Sequence, residues 1–480
     1  MTGDSATFRL AQLEALERSH GVFEITLDGI APWELARFEV ARTLRRELTG
    51  GGAAHDTPHG VAAMLRAGKL ALMNLLRRNP YRAAPADICV IGHPRRKLGP
   101  DGRWWDLYCD PVFADTELDV AHFEFSDFLT HRRPPKMPDL RYLDIIDIPG
   151  IAASELPLPL SRRHRRIVER FRPIETAIEA KFGVHVGVRQ VVADELRRRT
   201  VLRPLYERLL QRVDPELLVL VVSYGRGIKV LIEVAKAQEI PVVELQHGAG
   251  VIKPHHPGNH YPKVRASRTF PDYVLTWGKA WSQNAILPLP DERVLPVGYP
   301  YLDERIARYE NIPQRDQLLF ISQGPVGEAL SRLAVDCDAD PRISDHLIYK
   351  LHPGEINRWR EAYPWLRDSG VTVIDGESPT LYELFAQSRA QVGVGSTAVY
   401  EGLCFGLETY VYDNYYAESL MPLVDLGAAQ LIDSVDALAA KLGRGADTID
   451  REHYFAADAV STTQETLEQL MATGTVYERA

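Results

Sequence analysis

Short apolar runs alternate along the chain with longer stretches of helical periodicity. The apolar runs are rich in β-branched residues and have the length of strands, and their alternation with helices is typical of a parallel sheet covered by helices. We predict strands near 22–27, 88–92, 217–223, 242–246, 273–276 and 294–297, and again near 318–322, 347–351, 371–374, 391–394, 409–412 and 430–432. The two groups predict an α/β fold with two sheets.

The two groups of strands are separated by a polar stretch, 301–317, that reads as a helix and a linker. A length of 480 residues suits two domains. We therefore predict an N-terminal domain over 1–300 and a C-terminal domain over 301–480 that includes a terminal helix. The segment 94–160 is rich in proline, aspartate and aromatic residues and has no clear period, so we expect an irregular insertion there. The stretch 161–183 predicts a helix that Pro173 splits.

Composition and charge argue against a nucleic-acid-binding, a disulfide-rich or a membrane-spanning protein. With 45% hydrophobic and 25% charged residues the chain is typical of soluble globular proteins, and its net charge of -9 argues against a nucleic-acid partner. The four cysteines have no metal-ligand spacing, which favours reduced thiols. The N-terminal sequence lacks an export signal, and no apolar run is long enough to span a bilayer. We expect a cytoplasmic protein, with peripheral association at the inner face of the membrane left open.

The segment IYKLHPGE breaks a strand at its polar end. Pro353 ends the hydrogen-bond ladder and biases His352 toward an extended backbone, so we expect the imidazole to project from the strand end. There it can donate to a phosphate oxygen, with Lys350 adding a positive charge nearby. A strand stop with a surface histidine is the alternative.

The segment QVGVGSTAVYEGLCFG also leads from a strand into a glycine-rich turn and a helix. Gly395 lets a ligand approach the backbone, and Ser396 stands where a helix N-cap belongs. Helix amides from Thr397 onward would then face an anion, which predicts a phosphate site. Glu401, one turn later, could accept hydrogen bonds from ribose hydroxyls. An ordinary packing turn is the alternative.

The segment VVELQHGAG places Gln246, His247 and Gly248 at another strand end. A neutral imidazole is a natural general base for an acceptor hydroxyl, so His247 is the first candidate for catalysis. Asp28, after the first predicted strand, is a second candidate base, although a turn-forming Asp-Gly is the commoner explanation of this pair.

Gln246 and Gly248 could line the acceptor side of such a site, together with three further residues. These three follow strands in the segments GHPRRK and SYGRG, and they are His93, Arg95 and Arg226. The histidines of the segment 255–260 lack the spacing of a metal site, so we predict neither a metal nor another cofactor.

The order QHGAG, GYPYLD, KLHPGE, GVGSTAVYEG resembles the GT-B enzymes that build bacterial surface polymers. The resemblance is to CDP-glycerol glycerophosphotransferases of teichoic-acid synthesis and to HP-motif sialyl- and polysialyltransferases, and it spans roughly 242–413. It implies two Rossmann-like domains facing a central cleft, with the donor nucleotide mainly on the C-terminal one. It also implies donor-phosphate contacts from His352, Ser396 and Thr397, and a role for His247 in transfer.

The chain departs from these patterns at several positions. The teichoic-acid pattern has an acidic residue and tyrosine where Val394 and Gly395 stand, and tryptophan in place of Gln246. The acidic-acidic-glycine motif of sialyltransferases is met only in part by the segment 27–29. The departures favour the superfamily over any single activity.

We therefore predict a metal-independent glycosyltransferase. It would move a sugar, with a CMP-linked acidic sugar as one candidate, from a nucleotide donor to a hydroxyl of a surface glycan or lipid-linked acceptor. Three alternatives stay open: a CDP-polyol phosphotransferase, an isomerase like UDP-N-acetylglucosamine 2-epimerase, and a non-catalytic subunit that binds nucleotide or glycan.

Overall fold

The computed structural model describes residues 10–48, 61–99, 101–156, 158–225, 227–248, 258, 266–281, 287–324, 326–444 and 450–473. The chain divides into two compact units. The first comprises Met1–Trp277, Trp281–Pro300 and Asp458–Ala480, and the second comprises Gly278–Ala280 and Tyr301–Ala457.

Strands and helices of the first unit are numbered along the chain. The strands are β1 (Ile88–Gly92), β2 (Lys97–Leu98), β3 (Trp104–Trp105), β4 (Val120–Glu124), β5 (Arg141–Tyr142), β6 (Leu217–Leu220), β7 (Val242–Leu245), β8 (Tyr273–Thr276) and β9 (Val294–Pro296). The helices are α1 (Leu10–Ser19), α2 (Pro32–Leu48), α3 (Val61–Arg77), α4 (Asp110–Phe113), α5 (Asp144–Glu155), α6 (Arg162–Glu169), α7 (Arg172–Phe182), α8 (Val188–Val213), α9 (Ile228–Ala237) and the last helix, α18 (Ala459–Thr473).

The main sheet of the first unit has the strand order β5-β4-β1-β6-β7-β8-β9 in the described part of the chain. Every neighbouring pair is parallel. From β1, the next strands of the main sheet, β4 and β5, lie on one side of β1. Strand β6 then lies on the other side of β1 and is followed outward by β7, β8 and β9. This is the 3-2-1-4-5-6 order of doubly wound folds, extended by β9. The reversal places a topological switch point between β1 and β6.

Continuous apolar strands allow helices to cover both faces of this sheet. All residues of β1 and β6 are buried. One face packs against α8 and α9 in a core that includes Leu202, Leu209 and Leu231. Leu467 and Leu470 of α18 pack on the other face, and Gln464 Nε2 donates to the carbonyl of Val112 in α4 at 2.7 Å. Helix α18 thus belongs to the core of the first unit, and the prediction that placed the terminal helix in the C-terminal domain over 301–480 is wrong on this point.

The second unit contains one further parallel sheet. Its strands are β10 (Arg315–Ile321), β11 (His346–Lys350), β12 (Thr372–Ile374), β13 (Ser388–Gly393), β14 (Glu408–Tyr412) and β15 (Gln430–Ile432). Its helices are α10 (Pro300–Tyr309), α11 (Gly327–Asp338), α12 (Trp359–Ala362), α13 (Leu381–Gln387), α14 (Thr397–Leu403), α15 (Met421–Asp425), α16 (Val435–Lys441) and α17 (Arg451–Tyr454).

The sheet of the second unit has the order β12-β11-β10-β13-β14-β15 across the described strands, again with parallel pairs only. This is the same 3-2-1-4-5-6 order, with the switch point between β10 and β13. In open sheets of this kind, ligands bind outside the carboxyl ends of the strands at the switch point. The two-sheet α/β organisation expected of a GT-B-like chain is confirmed.

The structure corrects two local predictions. The stretch predicted as a strand at 22–27 contains a 3₁₀ helix, Val22–Glu24, whose apolar side chains enter a core with α1 and α2 instead of joining a sheet. The segment 94–160, expected to be irregular, supplies β4 and β5 to the main sheet. The predicted split at Pro173 is confirmed, because α6 ends at Glu169 and α7 begins at Arg172.

Candidate functional site

Polar side chains follow three neighbouring strands around the switch point of the first unit. His93 comes after β1, Tyr224 lies beyond β6, and His247 lies beyond β7. Since β1, β6 and β7 are adjacent and parallel, their carboxyl ends meet at one edge of the sheet. These residues therefore belong to the place where this fold binds ligands.

The three side chains and Tyr108 form a cluster of aromatic rings, which we call the His247 cluster. Tyr224 Oη lies 3.0 Å from His247 Nε2, and Tyr108 Oη donates to the carbonyl oxygen of His247 at 2.8 Å. The rings of His93 and His247 stack with their centroids 6.2 Å apart. The cluster fixes both the backbone and the ring of His247.

The protonation states in the cluster suit acid–base chemistry. Burial lowers the pKa of His93, against the opposing charge of Asp106, so this imidazole stays neutral near pH 7. Its Nδ1 accepts from the Arg95 amide at 3.1 Å. Burial raises the pKa of Tyr224 far above its usual range, so the phenol remains protonated. Tyr224 Oη and His247 Nε2 share a hydrogen bond whose direction depends on the tautomer of the imidazole, and His247 Nδ1 is buried.

Asp106 stabilises the cluster through hydrogen bonds to backbone amides of its members. Its Oδ2 accepts from the His93 amide at 2.6 Å, and its Oδ1 accepts from the Tyr108 amide at 3.0 Å. A side chain at Gly92 would come within 2.6 Å of the same carboxylate, so only glycine fits there. Asp106, Tyr108 and Tyr224 were missing from the sequence prediction. The sequence does carry a signal for Tyr224, because the segment SYGRG lies at the end of a predicted strand.

The other residues predicted for the acceptor side have different surroundings. Gln246 is buried, its Oε1 accepts from the Trp277 amide at 2.9 Å, and its Nε2 donates to the Gly248 carbonyl at 3.1 Å. It joins the ends of β7 and β8 and has a structural role. The side chain of Arg95 is exposed beside the cluster, and Arg226 lies outside the described residues.

Asp28 lies in a tight turn in which Leu27 pairs with Ile30. Its carboxylate forms ion pairs with Arg163 at 2.7 Å and Arg199 at 3.3 Å. Burial acts to raise the pKa of Asp28, but the hydrogen bond from Arg199 and the charge of Arg163 together hold it below its ordinary value. A carboxylate stabilised in this way is a weak base, so His247 is the stronger candidate.

Glu244, in β7, introduces a buried charge behind the His247 cluster. Its Oε1 accepts from the Ser223 amide at 3.2 Å, and Oε2 has no hydrogen-bond partner among the described residues. Burial raises the pKa of Glu244 to about 7. The neutral form therefore stabilises the fold at low pH, and this contribution is lost as the pH rises from the ordinary value of 4.5 to about 7.

Glu244→Gln should accordingly stabilise the protein at pH 8 by about 3 kcal/mol and much less at pH 5. The amide removes the buried charge that the wild-type protein carries only at the higher pH. Thermal unfolding at both pH values measures this difference, with the exposed Glu216→Gln as a matched control that leaves stability unchanged. An equal effect of Glu244→Gln at both pH values would contradict the assignment.

In the second unit, His352 lies at the end of β11 as predicted. Its side chain is exposed, and its Nδ1 accepts from the Gly354 amide at 3.1 Å. The amide of His352 donates to Glu355 Oε2 at 2.9 Å, and Tyr363 Oη donates to Glu355 Oε1 at 2.6 Å. Buried Glu355 thus fixes the turn at Pro353, and the imidazole of His352 is exposed at this turn.

The turn at Gly395 follows β13. Gly395 has φ +57, and a side chain there would come within 2.6 Å of the Tyr416 carbonyl and 3.2 Å of Gln323 Oε1. Ser396 caps α14, because its Oγ accepts from the Ala398 amide at 3.3 Å. The Val399 amide bonds to the Ser396 carbonyl at 3.2 Å, so the cap uses amides that the sequence suggested for an anion. Ser396 and Thr397 are partly exposed at this turn.

The turn SQGPVG after β10, for which the sequence made no prediction, lies between these two turns, because β10 lies between β11 and β13. Gln323 lies beside Gly395 across the switch point, and its buried Oε1 lacks a hydrogen-bond partner among the described residues. Gly327, at the start of α11, contacts Glu355 so closely that a side chain there would overlap Oε1. The turns after β11, β10 and β13 therefore form a continuous row, with His352 and Ser396 separated by two strand spacings, about 10 Å. We call this row the Gly395 edge.

Two other predicted ligands have partners of their own. Lys350 Nζ donates to the Gly376 carbonyl at 2.5 Å and supports the loop after β12. Glu401 accepts a hydrogen bond from Tyr382 Oη. In place of Lys350, the exposed Arg358 brings a cation to the Gly395 edge, since its Nη2 lies 3.8 Å from the position of a side chain at Gly324. The glycine-rich sequence after β10 was the signal for this part of the site.

Neither site contains a metal centre in the part of the chain that the structure describes, where no group of three or more His, Cys, Asp or Glu has suitable geometry. None of the described helices is long and apolar enough to cross a membrane.

Comparison with known proteins adds similarity of fold. No protein-family model and no curated protein match the chain. Among solved structures, it is similar to UDP-GlcNAc 2-epimerase from Methanocaldococcus jannaschii, with 12% identity, 80% of this chain and 99% of that chain covered, and a TM-score of 0.45.

Two other solved structures resemble the chain to a similar extent. For the wall teichoic acid polymerase TagF the identity is 10% and the TM-score is 0.39. The similarity covers 91% of this chain and 92% of that chain. For UGT2 of Phytolacca americana, complexed with UDP-2fluoro-glucose and pterostilbene, the identity is 12% and the TM-score is 0.40. The similarity covers 82% of this chain and 95% of that chain. At these TM-scores the similarity supplies no argument about activity.

Proposed function

We propose that this protein is a nucleotide-dependent glycosyltransferase. The second unit binds the donor nucleotide at the Gly395 edge, and the first unit binds the acceptor at the His247 cluster. The observation that carries the proposal is that both sheets have the doubly wound strand order, and that each switch point is lined by groups able to act on such substrates.

The Gly395 edge has the chemistry that a nucleotide phosphate requires. Gly395, with φ +57, lets the chain turn into α14 and leaves room for the Tyr416 carbonyl, and so it positions Ser396 at this edge. Ser396, Thr397 and the exposed imidazole of His352 supply hydrogen bonds, and Arg358 supplies a positive charge. Gln323 has an unused acceptor at the centre of the row, which suits a donor group such as a ribose hydroxyl or a base amine.

The His247 cluster has the chemistry that an acceptor hydroxyl requires. In the proposed step, the imidazole of His247 takes the hydroxyl proton as the acceptor oxygen forms a bond to the anomeric carbon of the donor sugar. The bond from that carbon to the phosphate oxygen breaks, and the nucleotide leaves with the electron pair. Tyr224 and Tyr108 hold the imidazole in place, and the imidazolium later releases its proton to water.

The second unit could serve several nucleotide donors, so the experiment is an incubation with separate UDP-, CDP- and CMP-linked sugars and with CDP-glycerol. Each is tested with and without a hydroxyl-bearing glycan acceptor, and products are identified by mass spectrometry. The proposal predicts that one nucleotide sugar is consumed and that its sugar is transferred only when acceptor is present. Isomerisation of UDP-N-acetylglucosamine without acceptor, transfer of glycerol phosphate, or binding without turnover would each contradict it.

A further inference from the structure

Among the described residues, helix α3 contacts the first unit along the face that carries Asn74. Asn74 is buried, and its Nδ2 donates to Asp144 Oδ2 at the start of α5 at 2.6 Å. Arg78, just after the helix, donates to the Leu140 carbonyl at 3.1 Å. Because residues four apart lie on the same side of a helix, these contacts define the inner face of α3. The opposite face points away from the unit.

The outer face of α3 is a stripe of exposed leucines. Leu65, Leu72 and Leu76 are 70%, 59% and 64% exposed, and their spacing of seven and four residues aligns them along the helix. Met73 and Leu75 flank the stripe and are 38% and 43% exposed. Water-soluble surfaces seldom gather this many large apolar side chains in one place, and such patches usually mark an interaction site.

The charges on α3 identify the partner. Arg66, Lys69 and Arg77 accompany the leucines, and the stretch 61–78 contains no acidic residue, although the whole chain has a net charge of -9. We propose that α3 docks on the surface of a bilayer that contains anionic lipids. The leucines enter the boundary of the acyl chains, while the cations remain at the level of the lipid phosphates.

A second copy of the chain fits this face poorly. Pairing two α3 helices would bring Arg66, Lys69 and Arg77 of both copies together at an apolar interface, where like charges repel and lose hydration. An anionic bilayer supplies apolar volume and negative charge together. The inference is independent of the proposed function, because it uses no residue of either candidate site.

The test is sedimentation of the full chain with phosphatidylglycerol-containing vesicles and with pure phosphatidylcholine vesicles. Wild-type protein should bind the anionic vesicles more strongly, and added salt should weaken binding. Leu72→Glu/Leu76→Glu should lower the partition coefficient at least about tenfold, because two apolar anchors are lost and two negative charges are gained. Thermal unfolding should be unchanged, since both side chains are exposed.

Leu426→Glu is the matched control, because this leucine of the second unit is 60% exposed and lies on no basic helix. It should bind vesicles like the wild type. The proposal is overturned if the double variant binds normally or the wild type ignores anionic lipid. It is also overturned if Arg165→Glu/Arg166→Glu in α6 alone abolishes binding, or if α3 instead mediates a dimer that analytical ultracentrifugation detects and the double variant dissociates.

Discussion

His247→Ala should lower turnover by about 10²- to 10⁴-fold while leaving the affinity for the donor nucleotide unchanged. The factor is the usual contribution of a positioned general base, and the imidazole of His247 is the best-oriented candidate in the first unit. Its ring is held by Tyr224 and its carbonyl by Tyr108, at 3.0 and 2.8 Å. Steady-state kinetics give the turnover, and calorimetry gives the nucleotide affinity.

Tyr224→Phe is a milder variant that tests the same assignment. It keeps the ring and removes the hydroxyl that lies beside His247 Nε2, so it should reduce turnover by about tenfold and shift the pH–rate profile. A merely structural role of the hydroxyl would lower stability without moving the profile. If His247→Ala kept turnover within a few-fold of the wild type, the assignment of the base would be wrong.

Gly395→Ala should abolish measurable nucleotide binding and destabilise the second unit. Alanine at φ +57 is strained by about 1–2 kcal/mol, and the new methyl group would also be pressed against the Tyr416 carbonyl. Relief of that overlap moves the turn that joins Gln323 to Ser396. Calorimetry should show at least about a hundredfold loss of affinity, and chemical denaturation should show the loss of stability.

Gly406→Ala is the control that distinguishes backbone strain from an effect on the nucleotide site. Gly406 has φ +75, but a side chain there would meet nothing within 4 Å. The variant should therefore have a backbone cost similar to that of Gly395→Ala, without an effect on nucleotide affinity. If both variants lost affinity equally, general destabilisation would explain the result and the Gly395 edge would lose its support.

The sequence sufficed for the framework because its signals are local. A buried parallel strand is a continuous apolar run, and its end is marked by a glycine or a polar residue within the next few positions. His93, His247, His352 and Ser396 could be placed at strand ends for this reason. β4 and β5 were hidden, because β5 has two residues and β4 carries buried polar side chains.

The partners of these residues depend on contacts between distant parts of the chain. Glu124 in β4 is buried because Arg96 and His131 pair with it. Gln246 appeared to be a ligand from its position beside His247, yet its side chain turns inward to the Trp277 amide. Likewise Tyr108 reaches His247 from a loop far away in sequence. No local pattern encodes such choices.

The central claim is that the nucleotide binds at the Gly395 edge, and hydrogen exchange followed by mass spectrometry tests it most directly. Amide exchange is compared without ligand and with the saturating nucleotide of the active donor. The account predicts slower exchange in peptides covering 322–327, 352–358 and 393–403, with little change around Leu426. Protection confined to the first unit, or absent from these three turns, would contradict it.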